Sequence, residues 1–154
     1  MRAVVQRVSS AGVSVDNRTV GAIRQGVVVF LGVARGDTER DADYLSDKIV
    51  NLRIFEDSAG KMNLSILDIS GEMLVVSQFT LLADCRKGRR PSFVAAAGFE
   101  EADELYEYFV KRARRRVGKV ATGRFRAMME VDIVNNGPVT MILESAKKTG
   151  NGDV

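Results

Sequence analysis

Histidine is missing from all 154 residues. No Ser-His-Asp or Cys-His relay can therefore operate, and no imidazole can hold zinc. The single cysteine, Cys85, excludes an internal disulfide and a thiolate cage, and fits a reducing cytosol. No apolar run reaches the ~18 residues of a membrane helix, and the start, "MRAVVQRVSS", lacks the apolar core of a secretion signal. These absences predict a soluble, cytoplasmic protein with no membrane partner. They also predict no metal and no cofactor. Any catalysis must run on hydroxyls, carboxylates, lysine, backbone amides or groups that the substrate brings.

What is present is an ordinary globular mixture, 45% hydrophobic and 28% charged, with a net charge of +3. That length and composition suit one domain with a substantial core. Residues 2–8 and 11–15 read as extended, and "VVVFLGVA" reads as a buried strand by its β-branched content. Gly12, Gly21, Gly26 and Gly32 punctuate this region, as in a curled sheet or barrel. Thr38 with Asp41 marks a helix start, and Ala42, Leu45, Ile49 and Leu52 follow at helical spacing. Asp57 to Gly60 is a turn. Ile66 to Ile69 and "MLVVSQF" read as strands. A second helix spans about Glu100 to Val117, acidic at its start and basic at its end, as the helix dipole favours. The expected fold is α+β: a single domain over residues 1–145, with two helices on a strongly curved, mostly antiparallel, barrel-like sheet. Residues 146–154 form a polar tail.

Four stretches could carry chemistry, one of them Thr122-Gly123-Arg124-Phe125, where a hydroxyl and a glycine precede a strand and a simple turn is the alternative. "Ser77-Gln78-Phe79-Thr80" ends an apolar strand. Its hydroxyls either serve the local backbone or border a site where free amides face an oxyanion. "Arg86-Lys87-Gly88-Arg89-Arg90" packs four cations into five residues, either as a solvated loop or as a phosphate contact. "Asn135-Asn136-Gly137-Pro138" separates the runs "MMEVDIV" and "VTMILE" and reads as the turn of a hairpin. Gly-Pro is an unusual centre for such a turn, because a tight hairpin favours Asn-Gly. A rigid X-Pro device that aims carbonyls is the alternative.

Taken together, "VSQFTL" (76–81) and "NNGPVT" (135–140) resemble the two signature motifs of the D-aminoacyl-tRNA deacylases. "VVQRV", "RIFEDSAGKMNLS", "RRPSF" and "TGRF" occur in matching order, so the resemblance covers about residues 1–145. It implies a cytosolic homodimer that hydrolyses the ester between a D-amino acid and the 3′-terminal adenosine of tRNA. It implies catalysis around Ser77, Gln78, Phe79 and Thr80, by a Thr80 nucleophile or by backbone amides with the RNA 2′-hydroxyl assisting water. The lack of a base for Thr80 favours the second. Gly137-Pro138 corresponds to a cis-proline pair that enters the partner's site and rejects L substrates. Arg7 and Asn135 support that pair. Glycyl-tRNA, including glycine mischarged on tRNA(Ala), is an implied further substrate. Arg86, Lys87, Arg89 and Arg90 are expected to touch the acceptor stem. A non-catalytic RNA-binding module is the competing reading.

Overall fold

A computed structural model describes residues 1–145. The predicted tail, residues 146–154, lies outside the described residues. Strand β1 (Arg2–Val15) pairs antiparallel with β2 (Arg18–Ile23) through its second half and with β3 (Gly26–Gly32) through its first. The two extended segments read from sequence are thus one strand. Its face changes midway: Ala3 and Val5 pack toward the helices, whereas Val8, Ala11 and Val13 join a second cluster. A register shift between Val8 and Ser10 accounts for the change, since one extra residue moves every later side chain to the other face.

Helix α1 (Glu39–Val50) starts as its sequence suggests. The Asp41 carboxylate accepts the Thr38 N–H at 2.8 Å, and Thr38 is the N-cap. A two-strand hairpin follows, β4 (Phe55–Glu56) with β5 (Met62–Leu64), around the expected turn. Residues Ile66 to Ile69, expected as a strand, form a turn instead. The Asp68 carboxylate accepts the Ser65 N–H at 2.7 Å and its hydroxyl at 2.9 Å, and this local bonding outcompetes pairing. Strand β6 (Glu72–Ser77) pairs in parallel with β3, and β7 (Val120–Thr122) in parallel with β6. Strand β7 was not expected from the sequence, where Thr122 to Phe125 could be read as a turn.

Strands β3 and β6 are buried on both faces, which explains their unbroken apolar runs. Val27, Val29, Leu31, Met73 and Val75 face the helices, and Val28, Leu74 and Val76 face the sheet interior. Helix α2 (Phe99–Arg114) buries Leu105, Tyr106, Phe109 and Ala113. Tyr106 donates its hydroxyl to the Val75 carbonyl at 2.9 Å, and burial pushes its ionisation well above the usual phenol range. Each large apolar side chain removed from water here stabilises the fold by about 1.5–3 kcal/mol. The basic end of α2 is partly spent on α1: Arg112 reaches Asp43 at 2.7 Å and Arg116 reaches Asp47 at 3.2 Å.

Strand β8 (Glu130–Glu144) overturns the hairpin read around Gly137-Pro138. It is one long strand that runs antiparallel to β1 on both sides of that stretch. Gln6 faces Thr140 and Val8 faces Asn135, so residues 136–139 bulge out opposite Arg7. Alternation persists on each side because both halves share one partner. Three of the five pairings in the main sheet are antiparallel and two are parallel. The result is a mixed, strongly curved sheet with two helices, in one domain.

Candidate active site

Ser77 is the last residue of β6 and lies level with Leu31 of β3. Beyond it the chain turns: Gln78 donates its amide to the Leu31 carbonyl at 2.8 Å, and Phe79–Leu82 form a short 3₁₀ helix. Gly32 makes room for this turn, since a Cβ there would fall 2.5 Å from Leu82 Cδ2 and 3.0 Å from the Gln78 carbonyl oxygen. In the 3₁₀ turn, Leu81 donates to the Gln78 carbonyl at 3.2 Å and Ala83 to the Thr80 carbonyl at 3.1 Å. The amides of Phe79 and Thr80 find no acceptor among the described residues. Backbone donors are seldom left without a partner unless solvent or a ligand reaches them.

A cleft of about 680 Å³ opens beside this turn. Ser77, Gln78 and Phe79 line it, together with Phe93, Phe99 and Phe125. Phe79 and Phe93 meet edge to face, their centroids 5.0 Å apart. An apolar, aromatic lining with a few polar groups is the usual form of a small-molecule site. Thr80 is not among its lining residues; its hydroxyl is bonded to the Gln78 side-chain amide. Phe99, Arg126 and Arg35 also line the cleft, and sequence reading passed over all three.

The bulge in β8 is anchored from beneath. Arg7 is 8% exposed, donates Nη1 to the Ile54 carbonyl at 2.7 Å and Nε to the Asn136 carbonyl at 3.3 Å. The Asn135 side chain donates to the carbonyls of Arg7 at 3.0 Å and Val139 at 3.1 Å. The Gly137-Pro138 peptide is cis, and Gly137 has φ +119°. A Cβ at 137 would lie 2.8 Å from Val139 Cγ2 and 2.9 Å from Arg7 Nη2. Only glycine fits that backbone and that space. Arg7, Asn135, Gly137 and Pro138 therefore form one structural unit. The chain does not bring this unit to its own cleft. Val131 lines the cleft but Gly137 and Pro138 do not. Gly137 lies six positions beyond Val131 along β8.

The basic loop is closed by a backbone pair, Asp84 with Ser92, at 2.8 and 2.9 Å. Arg86 grips the Asp84 carboxylate with Nε at 2.9 Å and Nη2 at 2.7 Å. That guanidinium, helped by the Arg86 amide, holds the Asp84 carboxyl down at about 2. The depressed value means the grip is fully present above the ordinary carboxylate range and is lost only as pH falls through about 2. Lys87, Arg89 and Arg90 have no ion-pair or hydrogen-bond partner among the described residues. The four predicted cations thus divide into one internally neutralised and three free.

The match to known proteins covers almost the whole chain. Residues 4–144 fit the family model described as D-Tyr-tRNA(Tyr) deacylase. The chain belongs to that family. A D-aminoacyl-tRNA deacylase from Geotalea uraniireducens (strain Rf4) is 61% identical over 152 residues, covering 99% of this chain and 98% of its own. One from Thermotoga petrophila is 59% identical over 147 residues, covering 96% and 99%. Among solved structures, the c-Myc DNA Unwinding Element Binding Protein superposes with a TM-score of 0.90 at 42% identity, covering 95% of this chain and 99% of its own. A probable eukaryotic D-amino acid tRNA deacylase shares the fold, with a TM-score of 0.80 at 17% identity. In this deacylase-family chain, the motif residues 76–81 form the turn with the two free amides, and 135–140 form the anchored bulge.

Proposed function

We propose that this chain hydrolyses the ester that joins a D-amino acid to the 3′-terminal adenosine of tRNA, releasing the free amino acid and the tRNA. It acts as an ester hydrolase of the D-Tyr-tRNA(Tyr) deacylase family. One observation carries the reading: two unclaimed backbone amides follow one another in the turn at the end of β6, that of Phe79, which lines an aromatic cleft, and that of Thr80 next to it, in a chain without histidine. Water adds to the ester carbonyl, and the two amides take the charge that develops on the oxygen. The substrate's own 2′-hydroxyl takes a proton from the attacking water and passes its own to the adenosine 3′-oxygen, so that the C–O bond breaks with the 3′-oxygen leaving as a hydroxyl and the amino acid leaving as its carboxylic acid. Thr80 is a poor nucleophile here, because its hydroxyl engages Gln78 and no base stands ready to deprotonate it. Thr80→Ala is expected to retain deacylation, since the amide survives. An acyl group trapped on Thr80 would overturn this assignment.

Chirality is read by the Gly137-Pro138 bulge of a second subunit. The bulge is anchored by Arg7 and Asn135, yet neither Gly137 nor Pro138 lines the cleft of its own chain. Strand β8 also exposes Val134 at 55% and Ile142 at 71%, a face suited to a homodimer. Backbone carbonyls that exclude an L side chain leave glycine untouched, so glycyl-tRNA, including glycine on tRNA(Ala), is cleaved as well. The free cations of the loop contact acceptor-stem phosphates. Neutralising Lys87 and Arg89 is expected to weaken all tRNAs alike and to flatten the log–log salt slope by about 0.7–0.9 per contact. Arg86→Ala should change the slope less, because Asp84 already neutralises that charge.

The deciding experiment measures release of amino acid from D-Tyr-tRNA, L-Tyr-tRNA and D-tyrosine ethyl ester. Rapid cleavage of the first alone is expected. Tight tRNA binding without cleavage would instead favour a non-catalytic nucleic-acid-binding module, which accounts for the cations but not for the anchored bulge. Equal cleavage of the simple ester would point to a small-molecule esterase.

A further inference from the structure

Arg126 is an arginine in an uncommon place. It adopts φ +63°, the left-handed region that non-glycine residues seldom visit. Its guanidinium carbon lies 3.9 Å above the centre of the Phe99 ring. Glu100 and Glu101 follow Phe99 directly, yet Arg126 forms no ion pair with either and no hydrogen bond among the described residues. The side chain is exposed while lining the cleft, so it stands at the mouth. A guanidinium stacked on a ring keeps its in-plane N–H donors free, and the ring fixes its orientation. A strained backbone that holds an unpaired, oriented cation at a cleft mouth is the form of an anion clamp.

The anion follows from what the cleft takes. This step rests on the reading that a tRNA terminal adenosine enters it. The 5′-phosphate of that nucleoside joins it to the preceding nucleotide and must leave through the mouth. We propose that the Arg126–Phe99 stack grips this phosphate, and so positions the 3′ end of the RNA for hydrolysis. Arg126 is then a positioning residue: it never touches the ester, and it separates polynucleotide substrates from bare nucleoside esters.

The test compares two substrates, D-tyrosyl-tRNA and 3′-O-D-tyrosyl-adenosine, which lacks the phosphate. Arg126→Gly suits the left-handed backbone and removes the cation. It is expected to lower kcat/KM for the tRNA about tenfold, the scale of one charge-assisted hydrogen bond. The loss should fall mainly on KM, and the salt slope should flatten by about 0.7, the single-strand value per contact. Activity on the adenosine ester should fall clearly less than activity on the tRNA. Arg126→Lys should keep most of the slope, and Phe99→Leu, which removes the ring beneath an intact charge, should give an intermediate KM. A tRNA KM and slope unchanged in Arg126→Gly would overturn the clamp. Equal losses on both substrates would overturn it too, by showing that the residue merely shapes the cleft. If the wild-type protein cleaves neither substrate, the deacylase reading itself fails, an outcome distinct from both.

Discussion

Phe79→Pro is expected to lower kcat on D-aminoacyl-tRNA by about 10²–10³ relative to Phe79→Ala, the usual effect of losing one oxyanion donor. The two variants differ in a single relevant group. Both lose the ring and its edge-to-face contact with Phe93, 5.0 Å between centroids, worth about 0.5–1.5 kcal/mol. Only proline also loses the N–H. The site tolerates proline for reasons already present in the backbone. Phe79 opens the 3₁₀ helix, and its amide has no protein acceptor to forfeit. Gln78, the residue before, sits at φ −143° and ψ 80°, outside the helical region that a following proline forbids. Thermal unfolding of the two variants should therefore agree, which leaves the rate difference to the amide. Equal kcat for the two would remove Phe79 from the oxyanion hole and leave Thr80 as the only donor.

The sequence displayed some of this and hid the rest for definable reasons. Helix α1 was legible because its signals are local: Thr38 and Asp41 at the start, then apolar residues every three or four positions. Buried β3 and β6 were legible as apolar runs. The β8 bulge was not, because a strand's extent is decided by its partner. Asn135 to Pro138 has the asparagine, glycine and proline of a turn, yet β1 spans both sides of it and keeps the two halves in one strand. Val120–Thr122 is too short to announce itself and exists as β7 only through parallel pairing with β6. Ile66 to Ile69 had strand composition but was captured by the Asp68 carboxylate. The site divided in the same way. Ser77 to Thr80 could be singled out as a motif, but which amides lack acceptors is a property of the turn. Arg86 could be counted as a cation, but not as one already gripped by Asp84. Arg126 and Phe99 lie in separate segments, so no periodicity connects them.

Mixing two impaired proteins is expected to restore selective activity. One carries Phe79→Pro, which removes the amide proposed as an oxyanion donor. The other carries Gly137→Ala, which forces a Cβ to within 2.9 Å of Arg7 Nη2 and 2.8 Å of Val139 Cγ2 at a φ of +119°. A non-glycine residue is strained there whatever room is made, so the bulge must move. The Phe79→Pro homodimer should be slow. The Gly137→Ala homodimer should be weakened and should discriminate poorly between D and L substrates. In the heterodimer, if each bulge serves the partner's cleft, one site receives both lesions and the other receives neither. That intact site should cleave D-aminoacyl-tRNA with wild-type selectivity and contribute up to about half of the wild-type rate per dimer. If each bulge serves its own cleft, every site keeps one lesion and mixing restores nothing. The separation along β8 favours the first outcome, because Val131 already reaches the cleft and Gly137 lies six residues further on. A purified heterodimer with no gain in selective turnover would falsify the exchange of bulges between subunits. The Phe79 and Thr80 amides would keep their role, because the Phe79→Pro comparison tests them independently.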